Sequence, residues 1–448
     1  MQSDFLRSVA RKKPIRGRSF SPSAAVALAF AMTVSSVART SSAEGEPSCS
    51  TGITKANVVS CALRASLALR SEEQGKEVLE ARRVAVSPLL PSNPLLAVTA
   101  ARRAASGGDP TALNWYATLS QEVEVAGQRG ARRDAVDAAL VAQGRRTLVA
   151  RRRVAFDAWV AFFEASSAHE ERSMAQRLTA VVDAIAVVAR AKANEGVLPP
   201  IDADVAEASS LRVARARYSA ELRVIASSAA LASLVGLDPS KPIVIQGDLT
   251  PLAGIEALAR GLSEAAALKR PEVAAAEAER RAQELRADAF RRARIPNPTV
   301  SIFVHNDGFN EQVLGVGVAV PIPLPSPVGR TYAGEIAEAE AEAKRARTET
   351  EKLQREIRLE VTSALAAYES KQRELQAFTP ERMQRAEESL RRLSLEIQAG
   401  RLNVRDALLA QQALVELLQA HVATRRDLAI ASVDLARASG MALEGAAQ

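Results

Sequence analysis

Cysteine and histidine are the side chains here that could bind a metal or act as nucleophiles, and both are scarce. The chain has three histidines and two cysteines. Except for Cys49 and Cys61, none of the five lies near another in sequence: His169, His305 and His421 are widely separated. A Cys/His metal cluster or a thiol-based catalytic centre cannot be assembled from so few groups. We therefore expect no metal site, no cofactor and no enzymatic activity.

Two aspartates follow glycines at the same spacing and are the remaining candidates for functional residues. Asp202 lies six residues after Gly196, and Asp406 lies six residues after Gly400. An acid in the first turn of a helix is favoured by the helix dipole, so capping alone would explain both. No acid, base and nucleophile stand out as a set from the solvated helix charges.

The N-terminal segment, residues 1–43, has the composition of an export signal. It carries seven basic residues against Asp4. Six of them precede an apolar run at Ala24–Ala38, and the small residues Ser41–Ala43 follow that run. The run has signal-peptide length rather than membrane-span length. Of the formal charge of +7, these residues supply all but about one unit, so we expect no nucleic-acid partner. In an oxidising compartment Cys49 and Cys61 would either pair or remain free thiols.

An internal repeat with an offset of 204 residues organises the remainder. The Asn93-Pro94 pair recurs as Asn297-Pro298, and Gly196 recurs as Gly400. This predicts a first half at 44–236, a connecting segment at 237–269, a second half at 270–440 and a tail at 441–448. Each half contains a helix, two short strands, a very long helix, a glycine-marked turn and a return helix.

Alternating residues predict four strands. In the second half these are Asn297–Asn306 and Val313–Pro321, where Val316 and Val318 lie on the apolar face. In the first half they are Leu95–Arg103 and the segment at 113–120, which contains Trp115. A period of two suits a barrel wall between lipid and water, or a half-buried soluble hairpin. Four strands cannot close a barrel, and open edges are forbidden in lipid, so a membrane location would require several chains.

Two segments of roughly 65–70 residues, 130–194 and 331–399, predict helices that reach on the order of 100 Å. Their apolar residues recur at intervals of three, four and seven, as in helices packed side by side. Pro380 should kink or end the second one. The sequence therefore predicts a mainly α fold of long antiparallel helices with a small strand region.

With these elements in place, the chain resembles the TolC-like outer-membrane efflux proteins, and in particular the cobalt–zinc–cadmium resistance subgroup. The resemblance covers roughly residues 55–440. It rests on PNPTVSIF at 296–303, VGVAVPIPL at 316–324, AGRLNVRDALLAQQALVE at 399–416 and SQEVEVAGQRGARRDAV at 120–136.

The resemblance implies a homotrimer in the outer membrane, with four strands of each chain in one shared β-barrel. The helices would continue as an α-barrel tunnel across the periplasm. Such proteins are passive ducts that work with a periplasmic adaptor and an inner-membrane pump, for substrates such as heavy-metal cations or small toxic solutes. The alternatives are the duct of a type I protein secretion system and, from another class, an exported helical structural protein.

The resemblance also assigns roles to residues. It places the periplasmic tips and adaptor contacts at the two glycine-marked turns, and a ring of acidic gate residues just beyond them. In some relatives a second acid follows three residues later, where this chain has Leu409. The implied sites are the tips Gly196, Leu198, Gly400, Arg401 and Leu402, the gate residues Asp202 and Asp406, and the strand landmarks Asn93, Pro94, Trp115, Asn297, Pro298, Val316 and Val318.

Overall fold

A computed structural model describes Cys49, residues 52–103, 112–261, 269–306, 311–325, 327–399 and 401–441. The predicted signal peptide, the predicted tip residue Gly400 and the tail beyond Met441 lie outside the described residues.

Long helices make up most of the fold. The helices are α1 (Val58–Ala65), α2 (Leu67–Ala85), α3 (Gln128–Asn194), α4 (Pro200–Leu234), α5 (Ile255–Gly261), α6 (Pro271–Ala293), α7 (Ala333–Gln376), α8 (Pro380–Gln398) and α9 (Val404–Ser439). The 67 residues of α3 span on the order of 100 Å, as the sequence predicts. Within the described ranges, no helix combines the length and apolar character that crossing a membrane requires.

The second long helical segment is interrupted where Pro380 predicts a break. Helix α7 ends at Gln376, and α8 begins at Pro380. Between them the Thr379 side chain accepts a hydrogen bond from the backbone N–H of Arg382, which caps the new helix. Because proline lacks the amide hydrogen that an interior helix position must donate, the helix restarts there instead of continuing.

Within the described ranges, the strands form two sheets. In the small one, β1 (Ile53–Thr54) pairs in parallel with β4 (Ile245–Gln246). The larger sheet contains β2 (Leu95–Arg103), β3 (Ala112–Glu122), β5 (Thr299–Asn306) and β6 (Gln312–Ala319). Its order is β2-β3-β5-β6 and all its neighbours are antiparallel, which confirms the four predicted strands.

The register gives the four-stranded sheet two chemically different faces. Leu96, Leu119, Ile302 and Val316 are aligned across the sheet and share one face, each at least 48% exposed. The next row, one residue along, lies on the opposite face and contains Leu95 and three small or polar residues, Ser120, Ser301 and Gly317. The apolar face is therefore uncovered by any other part of the described chain.

The order of the helices next to the sheet follows the order of the strands. Helix α2 packs on α3, α3 on α6, and α6 on α7. Each of these helices is next in the chain to one strand: α2 to β2, α3 to β3, α6 to β5 and α7 to β6. One chain therefore forms a strip with α2 and β2 along one edge and α7 and β6 along the other.

The core lies where α1, α3, α4, α9 and the small sheet meet. Its largest side chains, Trp159, Phe162 and Phe163, are fully buried on α3. Cys61 on α1 is buried beside them and forms a disulfide with Cys49. Of the two states left open for the cysteines, the structure therefore has the disulfide, which fastens the segment before α1 to the core.

Candidate functional site at the helix turns and the sheet

The turn between α3 and α4 closes the first long hairpin. Gly196 has a φ of 73°, a left-handed conformation that favours glycine. The N–H of Val197 donates to the carbonyl of Lys192, so the chain reverses with the last carbonyls of α3 satisfied. Pro200 then begins α4, where a missing amide hydrogen costs nothing.

The turn between α8 and α9 repeats this bonding. The N–H of Arg401, 204 residues after Val197, donates to the carbonyl of Glu396 at 3.0 Å. The side chain of Asn403 caps α9 by accepting from the N–H of Arg405. Leu198 and Leu402, predicted at the two tips, are half-buried and pack against the core cluster, whereas Gly196 and Arg401 are exposed.

Two contacts join the hairpins near these turns. Lys192 Nζ donates to the carbonyl oxygen of Ile397 at 2.5 Å. The guanidinium of Arg405 lies 3.5 Å from the carboxylate of Asp202. Neither cation was singled out by the sequence, because each partner is more than 200 residues away and nothing local marks it.

The two predicted gate acids differ in their surroundings. Both lie in the first turn of a return helix, as predicted. Asp202 is only 14% exposed at its side chain and pairs with Arg405. Asp406 is exposed and has no side-chain partner within the described ranges. Of the two predicted gate acids, Asp406 is therefore the one that remains an unneutralised carboxylate among the described residues.

An open groove of about 450 Å³ runs between α4 and α9 beside the turns. Its exposed apolar residues are Ile201, Val205 and Leu409, each at least 50% exposed. Arg212 and Arg405 lie along it. Because Leu409 is exposed, this side of the groove is apolar.

At the other end, the predicted Asn-Pro landmarks behave differently in the two halves. Asn297 Nδ2 donates to Glu122 Oε1 at 2.7 Å, and Asn297 Oδ1 accepts from Gln128 Nε2 at 2.8 Å. Gln128 is 2% exposed and also donates to the carbonyl of Ile295, so it ties the β3–α3 and α6–β5 junctions together. Asn93 and Pro94, just before β2, are exposed, and Asn93 has no side-chain bond among the described residues.

The remaining landmarks lie on the sheet. Val316 and Val318 are 80% and 70% exposed on the apolar face of β6, and Trp115 is half-buried on the same face of β3. Pro298 precedes β5, and its carbonyl accepts from Val123, which extends the strand pairing by one bond.

A buried ionic cluster, unmarked in the sequence, fixes the far end of α9. Arg270, 5% exposed, bonds Glu272 and Glu360 and donates to the carbonyl of Ala438. Arg152, 6% exposed, donates to the carbonyl of Met441 at 2.6 Å. Burial acts to raise the pKa of Glu272, but hydrogen bonds from Arg270 and from the Glu272 backbone, together with the charges of Arg270 and Arg152, outweigh it and the pKa is lowered. The cluster holds two buried guanidinium groups against carbonyls that the helix end leaves unpaired.

The histidines are dispersed, as the sequence predicts. His305 lies on β5 beside Tyr116, while His169 and His421 lie on α3 and α9. Burial, followed by the charge of Arg172, lowers the pKa of His169, and burial also lowers that of His421. Across the described ranges, no three His, Cys, Asp or Glu side chains come together as a group that could hold a metal ion.

Comparison with known proteins links this geometry to a family. Residues 262–441 match the family described as "Outer membrane efflux protein". No curated protein sequence matches the chain.

Solved structures share the fold over most of the chain. CusC is 16% identical with a TM-score of 0.69, covering 86% of this chain and 92% of its own. The outer membrane protein VceC of Vibrio cholerae is 18% identical with a TM-score of 0.66, covering 86% and 96%. The outer membrane channel MtrE of Neisseria gonorrhoeae, crystallised in its open state, is 18% identical with a TM-score of 0.68, covering 88% and 90%.

The family match covers the second hairpin and its strands, and the structural matches extend the same fold over the first. The second half of the chain therefore matches the outer membrane efflux protein family, and the chain as a whole has the fold of the outer membrane channels CusC, VceC and MtrE.

Proposed function

We propose that this chain is the outer-membrane duct of a tripartite efflux system, a passive channel that catalyses no reaction. Its strands would cross the outer membrane, and its helices would extend the conduit into the periplasm. The family match supports this role in general terms, and the following observations support its details.

The observation that carries the proposal is the open, two-faced sheet. Its apolar face is exposed, and its edge strands β2 and β6 pair with no further strand in the described chain. In lipid the unpaired amides of such edges would be costly, so a bilayer location requires that other copies supply the missing strands. Three copies of a four-stranded sheet give twelve strands, above the roughly eight that closure needs.

Where the strands of neighbouring copies pair, their helices would also meet and form a closed ring. Helix α2 follows the β2 edge and α7 follows the β6 edge, so the neighbours that complete the sheet also meet these helices. A homotrimer would then enclose one continuous channel. Helices of about 100 Å would carry it far beyond the membrane.

The helix turns are proposed as the contact with a periplasmic adaptor, through which an inner-membrane pump would deliver substrate. Val197 at the first turn is 69% exposed, and the groove beside the turns exposes Ile201, Val205 and Leu409. An apolar groove edged by Arg212 and Arg405 suits the face of an amphipathic helix from a partner.

The gate is proposed at the same end. The Asp202–Arg405 pair joins the two hairpins, so its rupture would accompany their separation. Three copies of Asp406 would form a carboxylate ring that favours cations. Heavy-metal cations are the substrate class we propose, in keeping with the predicted subgroup. No feature of the described residues favours the secretion duct or the exported structural protein.

The experiment is reconstitution of the full mature chain. Light scattering of detergent-extracted outer-membrane protein, with detergent mass subtracted, should give a particle of three chains. The same preparation should form cation-preferring channels in planar bilayers. A periplasmic monomer or dimer without channel activity would overturn the proposal.

A further inference from the structure

The apolar face of the sheet continues beyond its strands toward the helices. After β6, the exposed residues Val320, Ile322 and Leu324 keep the alternation of Val316 and Val318, and Ile322 is 83% exposed. After β3, Val123 and Val125 do the same. An apolar band therefore reaches the level at which α3 and α6 begin and end.

Arginines gather at the end of this band, and most acids there are already neutralised. Glu124 pairs with Arg132 at 2.6 Å, and Glu335 pairs with Arg330 at 3.1 Å. Asp288 and Glu340 both pair with Arg291, Asp137 pairs with Arg83, and Glu122 accepts from Asn297. Of the neighbouring acids described, Asp134 is the one left exposed without a partner.

Arg133, Arg292 and Arg294 lie at this level and have no carboxylate partner among the described residues. Arg292 and Arg294 are exposed, and Arg133 is half-buried. Arg292 lies over the β3–α3 turn, where its guanidinium donates to the carbonyl of Ala126 at 3.4 Å. A side chain on Gly127 would meet that guanidinium at 2.9 Å, so the glycine leaves it room.

Arg133 lies at the same level as Arg292. Helices α3 and α6 run antiparallel, and Arg146 on α3 pairs with Glu279 on α6 at 2.6 Å. Arg133 and Arg292 are each thirteen residues nearer the sheet than that pair. The positive charges of two neighbouring helices therefore converge at one height above the apolar band.

Aromatic rings mark the same height. Phe290 on α6 stacks on Tyr332 at 6.4 Å, and Arg330 lies 4.7 Å above the Tyr332 ring. Tyr332 adopts a φ of 52°, which is unusual for a residue with a side chain. Tyrosine with arginine beside an apolar band is typical of a membrane–water interface.

We propose that Arg292 and Arg294, assisted by Arg133, bind the phosphate of an anionic glycerophospholipid whose acyl chains lie on the apolar band. This inference rests on the proposed function, which puts the sheet in a bilayer. Charge complementarity identifies the headgroup, because surplus guanidinium groups bind phosphate in a bidentate manner. Continuity with the sheet identifies the source as lipid, because the cations lie where the exposed apolar surface ends.

The test is lipid titration of the detergent-solubilised full mature chain, monitored by native mass spectrometry. The probes are phosphatidylglycerol and phosphatidylcholine with identical acyl chains, and lipid A as a third arm. The wild type should retain phosphatidylglycerol preferentially. R292Q/R294Q should weaken that retention by about fivefold for each arginine removed, whereas R292K/R294K should keep most of it.

The matched control is R355Q/R392Q, which removes two exposed arginines on α7 and α8 that also lack described partners. Its lipid preference should equal that of the wild type. Equal retention of both phospholipids by the wild type, equal loss in the control, or preference for lipid A would each overturn the proposal.

Two further measurements keep the outcome clear. If R292Q/R294Q does not fold, the wild-type preference must still fall with added salt, since exposed ionic contacts are screened. Channel activity of the same samples separates the two proposals. A conducting trimer without lipid preference contradicts only the lipid site, whereas a chain that forms no channel contradicts the proposed function itself.

Discussion

The carboxylate of Asp202 and the guanidinium of Arg405 lie 3.5 Å apart and connect the first turn of α4 to the first turn of α9. The carboxylate is largely buried, whereas the guanidinium is 74% exposed. An ion pair with one solvated partner contributes about 0.2–1 kcal/mol. Such a pair can bias the arrangement of two hairpins, yet a docking partner can readily replace it.

The first prediction concerns this pair. R405A should raise the open probability of the reconstituted channel by up to about fivefold, because about 1 kcal/mol of closed-state bias is removed. Single-channel recording in planar bilayers measures it. R401A is the control, since Arg401 pairs at 2.8 Å with Glu396 just before its own turn. Equal opening in both variants would show that the Asp202–Arg405 link is not a latch.

The second prediction concerns the unpaired acid. D406A should raise conductance and reduce cation preference, because three repelling carboxylates are removed from the proposed constriction. The reversal potential under a potassium chloride gradient reports the preference. D134N removes an exposed, unpaired acid near the sheet and should change neither quantity. An unaltered conductance in D406A would remove Asp406 from the gate and leave the fold assignment intact.

The third prediction concerns the apolar face. V316R should cost about 2–4 kcal/mol in each copy if Val316 lies near the bilayer midplane. We expect little protein in the outer membrane and few stable trimers after heating in mild detergent. T99R places the same charge on an exposed residue of the opposite face and should be tolerated. Normal insertion of V316R would argue that this face does not meet lipid.

The fourth prediction is a pH dependence. Burial acts to raise the pKa of Glu272 in the folded chain, but the hydrogen bonds to its carboxylate and the charges of Arg270 and Arg152 together outweigh burial, so the pKa is lowered. A lowered carboxyl pKa stabilises the fold above its unfolded value of about 4.3, and this stabilisation is lost as pH falls through the lower folded pKa. E272Q should therefore be less stable than the wild type at pH 6, and the difference should shrink toward pH 3.

Denaturant unfolding in detergent, followed by circular dichroism, measures this difference. E277Q is the control, since Glu277 is exposed on the same helix and lacks a described partner. A difference that does not change with pH would exclude titration of Glu272 as its cause.

The fifth prediction concerns the disulfide. Cys49 and Cys61 are twelve residues apart in sequence, and closing so short a loop stabilises by about 3 kcal/mol in the chain-entropy account. C49S/C61S should lower the Tm by several degrees. Reductant should lower the wild-type Tm by a similar amount and leave the variant unchanged. A reductant effect on the variant would point to another cause.

The sequence predicts well those structural elements that follow a periodic pattern of residues. Alternation over residues 313–321 predicts β6 and its exposed face, and even the weakly patterned segment Leu95–Arg103 forms a nine-residue strand. Pro380 predicts the break between α7 and α8 for a local steric reason. These signals are local, so one chain without an alignment suffices to interpret them.

Contacts between distant segments are not predictable in this way. Arg405 and Asp202 are ordinary charged residues on solvated helices until the hairpins are placed side by side. Gln128 becomes a junction residue only because Asn297 and Ile295 arrive beside it. Arg152 and Arg270 resemble the many surface arginines of the chain, although both are buried. The role of each of these residues depends on which distant residue lies beside it, and the local sequence does not contain that information.

The interruption between α7 and α8 makes the two hairpins mechanically unequal. Helix α3 is a single uninterrupted rod, whereas its counterpart in the second half is two rods joined by Ala377, Phe378 and Thr379. A force applied at the α8–α9 turn can pivot α8 about this joint without bending a helix. The same force on the first hairpin would have to tilt α3 as a whole. The turn of the second hairpin should therefore move more easily than that of the first, which acts as the rigid reference.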